Sequence, residues 1–327
     1  MDLPIRPRRN RKSPVLRGLV GETKLSAADL ILPVFLHEDA GDVAIESMPG
    51  VTRWSLDGLL GEVGEARALG IGAVVLFPKI AEHLKTPGAE EAFNPDGLIP
   101  RAVAALKRAY PDLCVITDVA LDPYNSDGHD GLVRSGEIVN DPTVEVLCKQ
   151  ALSHARAGAD IVSPSDMMDG RVGAIRTALD AAGFSNVSIL SYAVKYASAY
   201  YGPFRGALDS APKAGDKLTY QMDPGNAREA LREVALDEAE GADIVMVKPA
   251  GPYLDIIAKV RAATSLPVAA YQVSGEYLMI KSAAAAGWLD EAKVVSESLT
   301  GIKRAGADMI LTYFAKQVAQ SLSNNNR

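Results

Sequence analysis

The segment Gly241-Ala242-Asp243-Ile244-Val245-Met246-Val247-Lys248 joins a predicted helix to a run of branched apolar residues that ends in a lysine. Similar phrases, in which a glycine is followed within a few residues by an apolar run, begin at Gly70, Gly158 and Gly306. Glycine favours the left-handed conformation that ends many helices, and each apolar run has the length of a buried parallel strand. The repeating unit is therefore a helix, a loop and a strand.

Four further segments have the composition of strands and raise the predicted number to eight; they are residues 30–35, 114–119, 188–192 and 268–271. Eight strands alternating with helices close a (β/α)8 barrel, whereas an open doubly wound sheet needs a glycine-rich phosphate-binding turn that this sequence lacks. We predict an α/β fold, with a single TIM barrel over residues 26–327 and an extended, basic N-terminal arm over residues 1–25.

The composition narrows the class of protein. The chain has 327 residues, of which 48% are hydrophobic and 23% charged, with a net charge of −7. This profile excludes a disordered chain and disfavours nucleic acid as a partner, although docking of nucleic acid on the basic arm is an alternative. The sequence contains neither a signal peptide nor an apolar run long enough to span a membrane. Because Cys114 and Cys148 are the only cysteines, we expect no disulfides and a cytoplasmic location.

Lys248 stands at the catalytic end of the sixth predicted strand, where alternation places it on the same face as Ile244 and Met246. Burial there would lower its pKa and leave a neutral amine that attacks a ketone to form a Schiff base. The alternative is a lysine that extends from the strand end into water. Lys195 follows the fifth predicted strand, and neighbouring strands lie about 4.8 Å apart. Two ammonium groups in one pocket disfavour each other's charge, so the pair predicts at least one nucleophilic lysine.

Two long connections follow strand ends, at residues 120–140 and 193–222, and we expect both to cover the active site. The first connection and the strand before it hold four aspartates: Asp118, Asp122, Asp127 and Asp130. Turn formation explains some of them, and an acid/base cluster or a site for a hard cation such as Mg²⁺ is the functional interpretation. In the second connection, Arg205 and Lys217 are candidates to hold a substrate carboxylate.

Seven motifs in this order resemble those of the 5-aminolevulinate dehydratase (porphobilinogen synthase) family, and the resemblance covers nearly the whole chain. They are Ser47-Met48-Pro49-Gly50, Thr117-Asp118-Val119-Ala120, Ser163-Pro164-Ser165-Asp166-Met167-Met168-Asp169-Gly170-Arg171, Lys195-Tyr196-Ala197-Ser198, Tyr201-Gly202-Pro203-Phe204-Arg205, Met246-Val247-Lys248-Pro249 and Val273-Ser274-Gly275-Glu276-Tyr277. The resemblance implies a lyase of tetrapyrrole (haem and chlorophyll) biosynthesis. Its reaction condenses two 5-aminolevulinate molecules to porphobilinogen with loss of two waters.

The resemblance also implies roles for individual residues. Lys195 and Lys248 would form the Schiff bases, while Asp118 or a metal-bound water would transfer protons. The carboxylates of the two substrates would be held by two pairs of side chains, Arg205 with Lys217 and Ser274 with Tyr313. No organic cofactor is needed, because the iminium itself acidifies the neighbouring carbons. A homo-octamer is implied as well, built from dimers in which the arm of each subunit packs against its neighbour. The alternative enzyme is a Schiff-base aldolase, which needs only one reactive lysine.

The sequence departs from the zinc-dependent members of the family in one respect. Three cysteines of those members are replaced here by Ala120, Asp122 and Asp130. A zinc thiolate site is therefore excluded, and the chain resembles the aspartate-rich branch that responds to magnesium. In that branch the position of Glu233 binds an allosteric Mg²⁺ through water. The resemblance thus predicts Asp122, Asp130 and Glu233 as metal-site residues.

Overall fold

A computed structural model describes residues 3–208 and 210–325 of the chain. Within them, eight parallel strands form a closed barrel, because each pairs with the next and the last pairs with the first. The strands are β1 (Leu30–Leu36), β2 (Ala73–Pro78), β3 (Cys114–Val119), β4 (Ile161–Pro164), β5 (Ser188–Lys195), β6 (Ile244–Lys248), β7 (Val268–Gln272) and β8 (Met309–Thr312). This arrangement confirms the predicted TIM barrel.

Helices surround the barrel. They are α1 (Pro14–Leu19), α2 (Leu56–Ala68), α3 (Leu98–Ala109), α4 (Asn140–Ala157), α5 (Arg171–Ala181), α6 (Gly202–Leu208), α7 (Arg228–Ala239), α8 (Leu254–Ala263), α9 (Ser274–Ala285), α10 (Glu291–Ala305) and α11 (Ala315–Asn325). Short 3-10 helices cover Pro7–Arg11, Ala27–Asp29, Glu82–Leu84, Glu90–Phe93, Ala199–Tyr201 and Gly251–Tyr253. Four short strands lie outside the barrel, Val43–Ala44, Thr52–Trp54, Leu132–Arg134 and Glu137–Val139. The glycines of the repeated phrase, at 70, 158, 241 and 306, all have the predicted positive φ.

The strands bury both faces, so the barrel has two apolar layers. Alternate residues such as Phe35, Phe77 and Met246 fill the lumen. The intervening residues pack outward against the helices and form a larger cluster that includes Leu36 and Val247. This is the alternation expected of a barrel whose interior is packed with side chains.

Strand β5 breaks this alternation once. Its register with β6 pairs Val245 with Ser191 but Val247 with Val194, so β5 carries one extra residue between these two pairs. Tyr192 belongs to the lumen cluster, whereas the next two residues, at 193 and 194, both belong to the outer cluster. The extra residue is a β-bulge, and it returns Lys195 to the lumen side, directly opposite Lys248.

The predicted arm contains the 3-10 helix Pro7–Arg11 and α1, and neither buries a side chain. Its division from the barrel at residue 25 stays a prediction. Residues 1 and 2 of the predicted arm, and residues 209, 326 and 327 of the predicted barrel domain, lie outside the described residues. Among the helices of the described chain, we find none with the length and hydropathy that a bilayer crossing requires.

Candidate active site

A pocket opens at the carboxyl ends of the strands. Thirteen residues line it: Phe77, Asp118, Asp122, Asp130, Ser165, Lys195, Tyr201, Phe204, Arg205, Ser210, Lys217, Gln221 and Lys248. Nine of them belong to the connections 120–140 and 193–222, so these two long segments line the pocket as expected. The structure thus brings together seven of the ten predicted site residues.

Lys195 and Lys248 end adjacent strands at the same register, and each residue is only 6% exposed. The Lys195 ammonium donates to a carboxylate oxygen of Asp130 at 2.9 Å and to the backbone carbonyl of Ser165. Both partners come from the loops that follow strands β3 and β4. Lys195 is therefore surrounded by polar groups and paired with the negatively charged carboxylate of Asp130.

Lys248 has aromatic surroundings instead. Its Nζ lies 4.8 to 5.2 Å from four ring centroids, those of Tyr192, Tyr201, Phe204 and Tyr271. Burial, reinforced by the positive charge of Lys195, lowers the pKa of the Lys248 ammonium to about 7. A large part of this lysine is then a neutral amine at neutral pH, which is the form that attacks a carbonyl carbon.

Asp118 lines the pocket from the end of β3. Burial, together with the negative charge of Asp122, raises the pKa of the Asp118 carboxyl to about 7. Its Oδ1 is buried and has no hydrogen-bond partner among the described residues. A carboxyl group that gains and loses a proton near neutral pH suits a general acid and base.

Asp130 joins two lysines. One carboxylate oxygen accepts from Lys195, and the other accepts from Lys217 at 2.5 Å. Burial alone would raise the pKa of Asp130, but the two ammonium groups hold it well below its usual range. Lys217 also lies 3.6 Å from Asp122, and these two carboxylates outweigh burial and raise the pKa of Lys217.

The predicted metal ligands do not converge. In the described part of the chain, no three His, Cys, Asp or Glu side chains lie close enough together to hold a metal ion. Asp122 and Asp130 both pair with Lys217. Glu233 lies elsewhere, on α7, in a separate surface pocket that also contains Asp169 and Glu229. Burial and the charge of Asp237 raise the pKa of Glu233.

The two predicted carboxylate anchors differ in position. Arg205 and Lys217 line the pocket with the lysines. Ser274 and Tyr313 are not among the described residues that line it. Ser274 Oγ accepts from the backbone N–H of Phe204 at 3.0 Å, and the Tyr313 hydroxyl lies 2.9 Å from that of Tyr271. The aromatic residues around Lys248 therefore separate this second pair from the lysines.

Sequence reasoning missed two groups that contact the lysines. Tyr271 faces Lys248 because it alternates with the lumen residue Ala269, and this signal was present in the strand pattern. The Ser165 carbonyl, which accepts from Lys195, has no signal in the sequence, because any residue type supplies a backbone oxygen.

Comparison with known proteins agrees with this geometry. The family profile described as delta-aminolevulinic acid dehydratase matches residues 4–321. The chloroplastic delta-aminolevulinic acid dehydratase of Physcomitrium patens is 62% identical over 323 residues, which are 98% of this chain and 74% of the relative. Delta-aminolevulinic acid dehydratase 1, chloroplastic, of Arabidopsis thaliana is 60% identical over 330 residues, 100% of this chain and 76% of the relative.

A solved structure is also similar. Delta-aminolevulinic acid dehydratase (porphobilinogen synthase) from Toxoplasma gondii ME49, in complex with the reaction product porphobilinogen, superimposes with a TM-score of 0.97. The two chains are 56% identical, and the match covers 98% of this chain and 92% of the other.

These relatives correct one expectation. The predicted cytoplasmic location is wrong, because it is contradicted by the similar plant enzymes, which are chloroplastic. The prediction depended on the scarcity of cysteine. A low cysteine content indicates a reducing environment but does not distinguish one reducing compartment from another.

Proposed function

This chain belongs to the delta-aminolevulinic acid dehydratase family, and from that premise we propose how it condenses two 5-aminolevulinate molecules to porphobilinogen. The enzyme is a lyase of tetrapyrrole biosynthesis. We assign one Schiff base to Lys248 and the other to Lys195. The observation that carries this assignment is the convergence of two buried lysines at one register, one of them with its pKa lowered to about 7.

The neutral Lys248 amine attacks the ketone carbon of the first substrate, and the resulting carbinolamine loses water to give an iminium. Asp118 supplies the proton that leaves with this water and then removes a proton from the carbon beside the iminium. The Lys195 ammonium, which donates to Asp130, must first pass one proton to a carboxylate such as Asp118, and its neutral amine then attacks the second ketone and loses water in the same way. An aldolase needs one such lysine, so the paired arrangement favours the dehydratase.

We propose that the substrate carboxylates are bound by Arg205 with Lys217 and by Ser274 with Tyr313. For the first pair, the support is its place in the pocket lining. The second pair becomes accessible to a substrate on Lys248 only if the segment around Phe204 moves, because Ser274 is bonded to its backbone.

The experiment is turnover of 5-aminolevulinate assayed for a pyrrole product, followed by borohydride reduction and peptide mass spectrometry. We expect the reduced adducts on Lys195 and Lys248. Labelling of neither lysine would overturn the Schiff-base assignment, while pyrrole formation would still test the reaction itself.

Enzymes of this family depend on metals, and we propose Mg²⁺ as the metal here. Glu233 lines a surface pocket with Asp169 and Glu229, and these oxygen ligands suit a hydrated Mg²⁺ held through water. Magnesium at Asp122 and Asp130 stays a prediction, and no step is assigned to it. After chelation, Mg²⁺ should restore activity and raise the melting temperature, and Glu233→Gln should weaken the thermal effect. Rescue by Zn²⁺ alone would contradict this proposal.

We also propose that residues 1–25 form an arm that binds a second copy within a homo-octamer. The support is the exposure of apolar side chains along this segment, namely Leu3, Ile5, Val15, Leu19 and Val20. Light scattering on the full chain measures the mass directly. A monomer at micromolar concentration would contradict the proposal.

A further inference from the structure

Arg171 is a buried cation outside the pocket. It begins α5, and the residue is only 2% exposed. Its guanidinium donates to both carboxylate oxygens of Asp237 on α7, at 3.1 and 3.3 Å, and its Nε lies 3.7 Å from Asp166. Burying such a charge is costly unless it is paired and hydrogen-bonded, so this geometry is strongly constrained.

The same guanidinium also contacts strand β5, at the residues that precede its β-bulge. Nη2 donates to the hydroxyl of Ser191 at 3.2 Å and to the backbone carbonyl of Tyr192 at 3.4 Å. Ser191 in turn donates to Asp237. These are the residues that immediately precede the outward pair at 193 and 194. Arg171 therefore stabilises the β-bulge that turns Lys195 into the lumen.

Arg171 also contacts the loop that binds the ammonium group of Lys195. Its Nη1 donates to the backbone carbonyl of Met168 at 3.4 Å, in the loop that contains Ser165. The Ser165 carbonyl accepts from the Lys195 ammonium. One guanidinium thus fixes both the strand that carries Lys195 and the loop that binds its nitrogen.

We propose that Arg171, fixed by Asp237, is the positioning residue for Lys195. This inference rests on the proposed function, in which Lys195 forms a Schiff base. Without the bulge, regular alternation would place Val194 in the lumen and turn Lys195 toward the helices, because a shift of one residue exchanges the two faces of a strand. Lys248 ends the regular strand β6 and does not need Arg171.

The test compares adduct formation on the two lysines. The probe is 4-oxopentanoate, a keto acid that forms a Schiff base but lacks the amine needed for condensation. After borohydride reduction, peptide mass spectrometry measures the label on Lys195 and Lys248 separately. The double variant Arg171→Met/Asp237→Leu removes both charges together, which protects the fold better than removing either one. We expect the ratio of Lys195 label to Lys248 label to fall at least tenfold.

A matched control lies on the same helix. Arg176 also donates to backbone carbonyls before β5, those of Val187 at 2.7 Å and Phe184 at 3.1 Å, but at the opposite end of the strand. Arg176→Met should lower the melting temperature and leave the ratio unchanged. An equal loss of both labels in the double variant would overturn the inference, as would an unchanged ratio. Failure of the wild-type protein to label either lysine would instead overturn the proposed function.

If the double variant does not fold, Arg171→Lys takes its place in the test. This substitution keeps the positive charge on a shorter side chain. It should lower the labelling ratio while retaining the melting transition. An unchanged ratio in this folded variant would contradict the positioning role.

Discussion

The pocket surrounds two equally buried lysines with different neighbours. We call the part around Lys195 and Asp130 the acidic half, and the part around Lys248 and its aromatic rings the aromatic half. Lys195 is bonded to Asp130, a carboxylate whose pKa is held low by two ammonium groups. Lys248 is surrounded by aromatic rings, and its pKa is lowered to about 7. Burial is the same at both positions, so depth alone does not decide which lysine is a nucleophile at rest. The difference lies in whether a charged partner accompanies the buried amine.

The largest expected effect comes from removing the amine of the aromatic half. Lys248→Met should reduce kcat for porphobilinogen formation by at least about 10⁴-fold, because the covalent intermediate can no longer form. Lys149→Met, at an exposed lysine, is the control and should retain full activity. Measured turnover above one per cent in Lys248→Met would show that the aromatic half is not the nucleophilic one.

The next effect tests the acidic half. Asp130→Asn should lower kcat by about 10²-fold and destabilise the protein by about 3 kcal/mol, because it leaves two buried ammonium groups without their shared anion. Calorimetry and pyrrole assays measure both quantities. The control is Asp127→Asn. The carboxylate of Asp127 makes no hydrogen bond within the described residues, so this substitution should change neither kcat nor the stability of the protein. Equal behaviour of the two variants would refute a special role for Asp130.

A smaller effect links the two halves. Below pH 7 Lys248 is mostly protonated, so its reaction with 4-oxopentanoate should slow as the pH falls through this value. Lys195→Met removes a positive charge that helps to lower this pKa. The midpoint should therefore move up by about one pH unit, which corresponds to about 1.4 kcal/mol. Timed reactions stopped with borohydride at each pH measure the midpoint, and an unchanged value would mean that burial alone sets it.

The smallest effect concerns the loop after Lys248. Glu276 accepts hydrogen bonds from the backbone N–H groups of Gly251 at 2.7 Å and Val273 at 2.8 Å. Burial raises the pKa of its carboxyl to about 7, so the folded state binds more protons than the unfolded state between pH 4.5 and 7. This group therefore stabilises less as the pH rises through that window.

Glu276→Gln should remove this contribution. When the pH rises from 5 to 7, the decrease in melting temperature should be about 2 to 4 °C smaller for the variant than for the wild type. A parallel pH dependence in the two proteins would contradict the assignment to Glu276.

The same contrast explains how far the sequence predicts the structure. Lys248 ends a regular strand, so alternation alone predicted its side of the barrel. Lys195 reaches that side only through the bulge, which depends on contacts of Arg171 with a segment 20 residues away and leaves no local pattern. The eight strands were predictable because each is a short apolar run after a helix end. The pairing of Asp130 with two lysines was not, because it joins two loops that meet only in the folded chain.

Burial raises the pKa of Asp118 and lowers that of Lys248, so the two groups become closer in acidity. When groups so close in acidity influence each other, they titrate as one unit. Transfer of a hydrogen ion between the Asp118 carboxyl and the Lys248 amine leaves the net charge of the cavity unchanged. Each dehydration can then draw on an internal reservoir, and the enclosed chemistry need not wait for an exchange with bulk water.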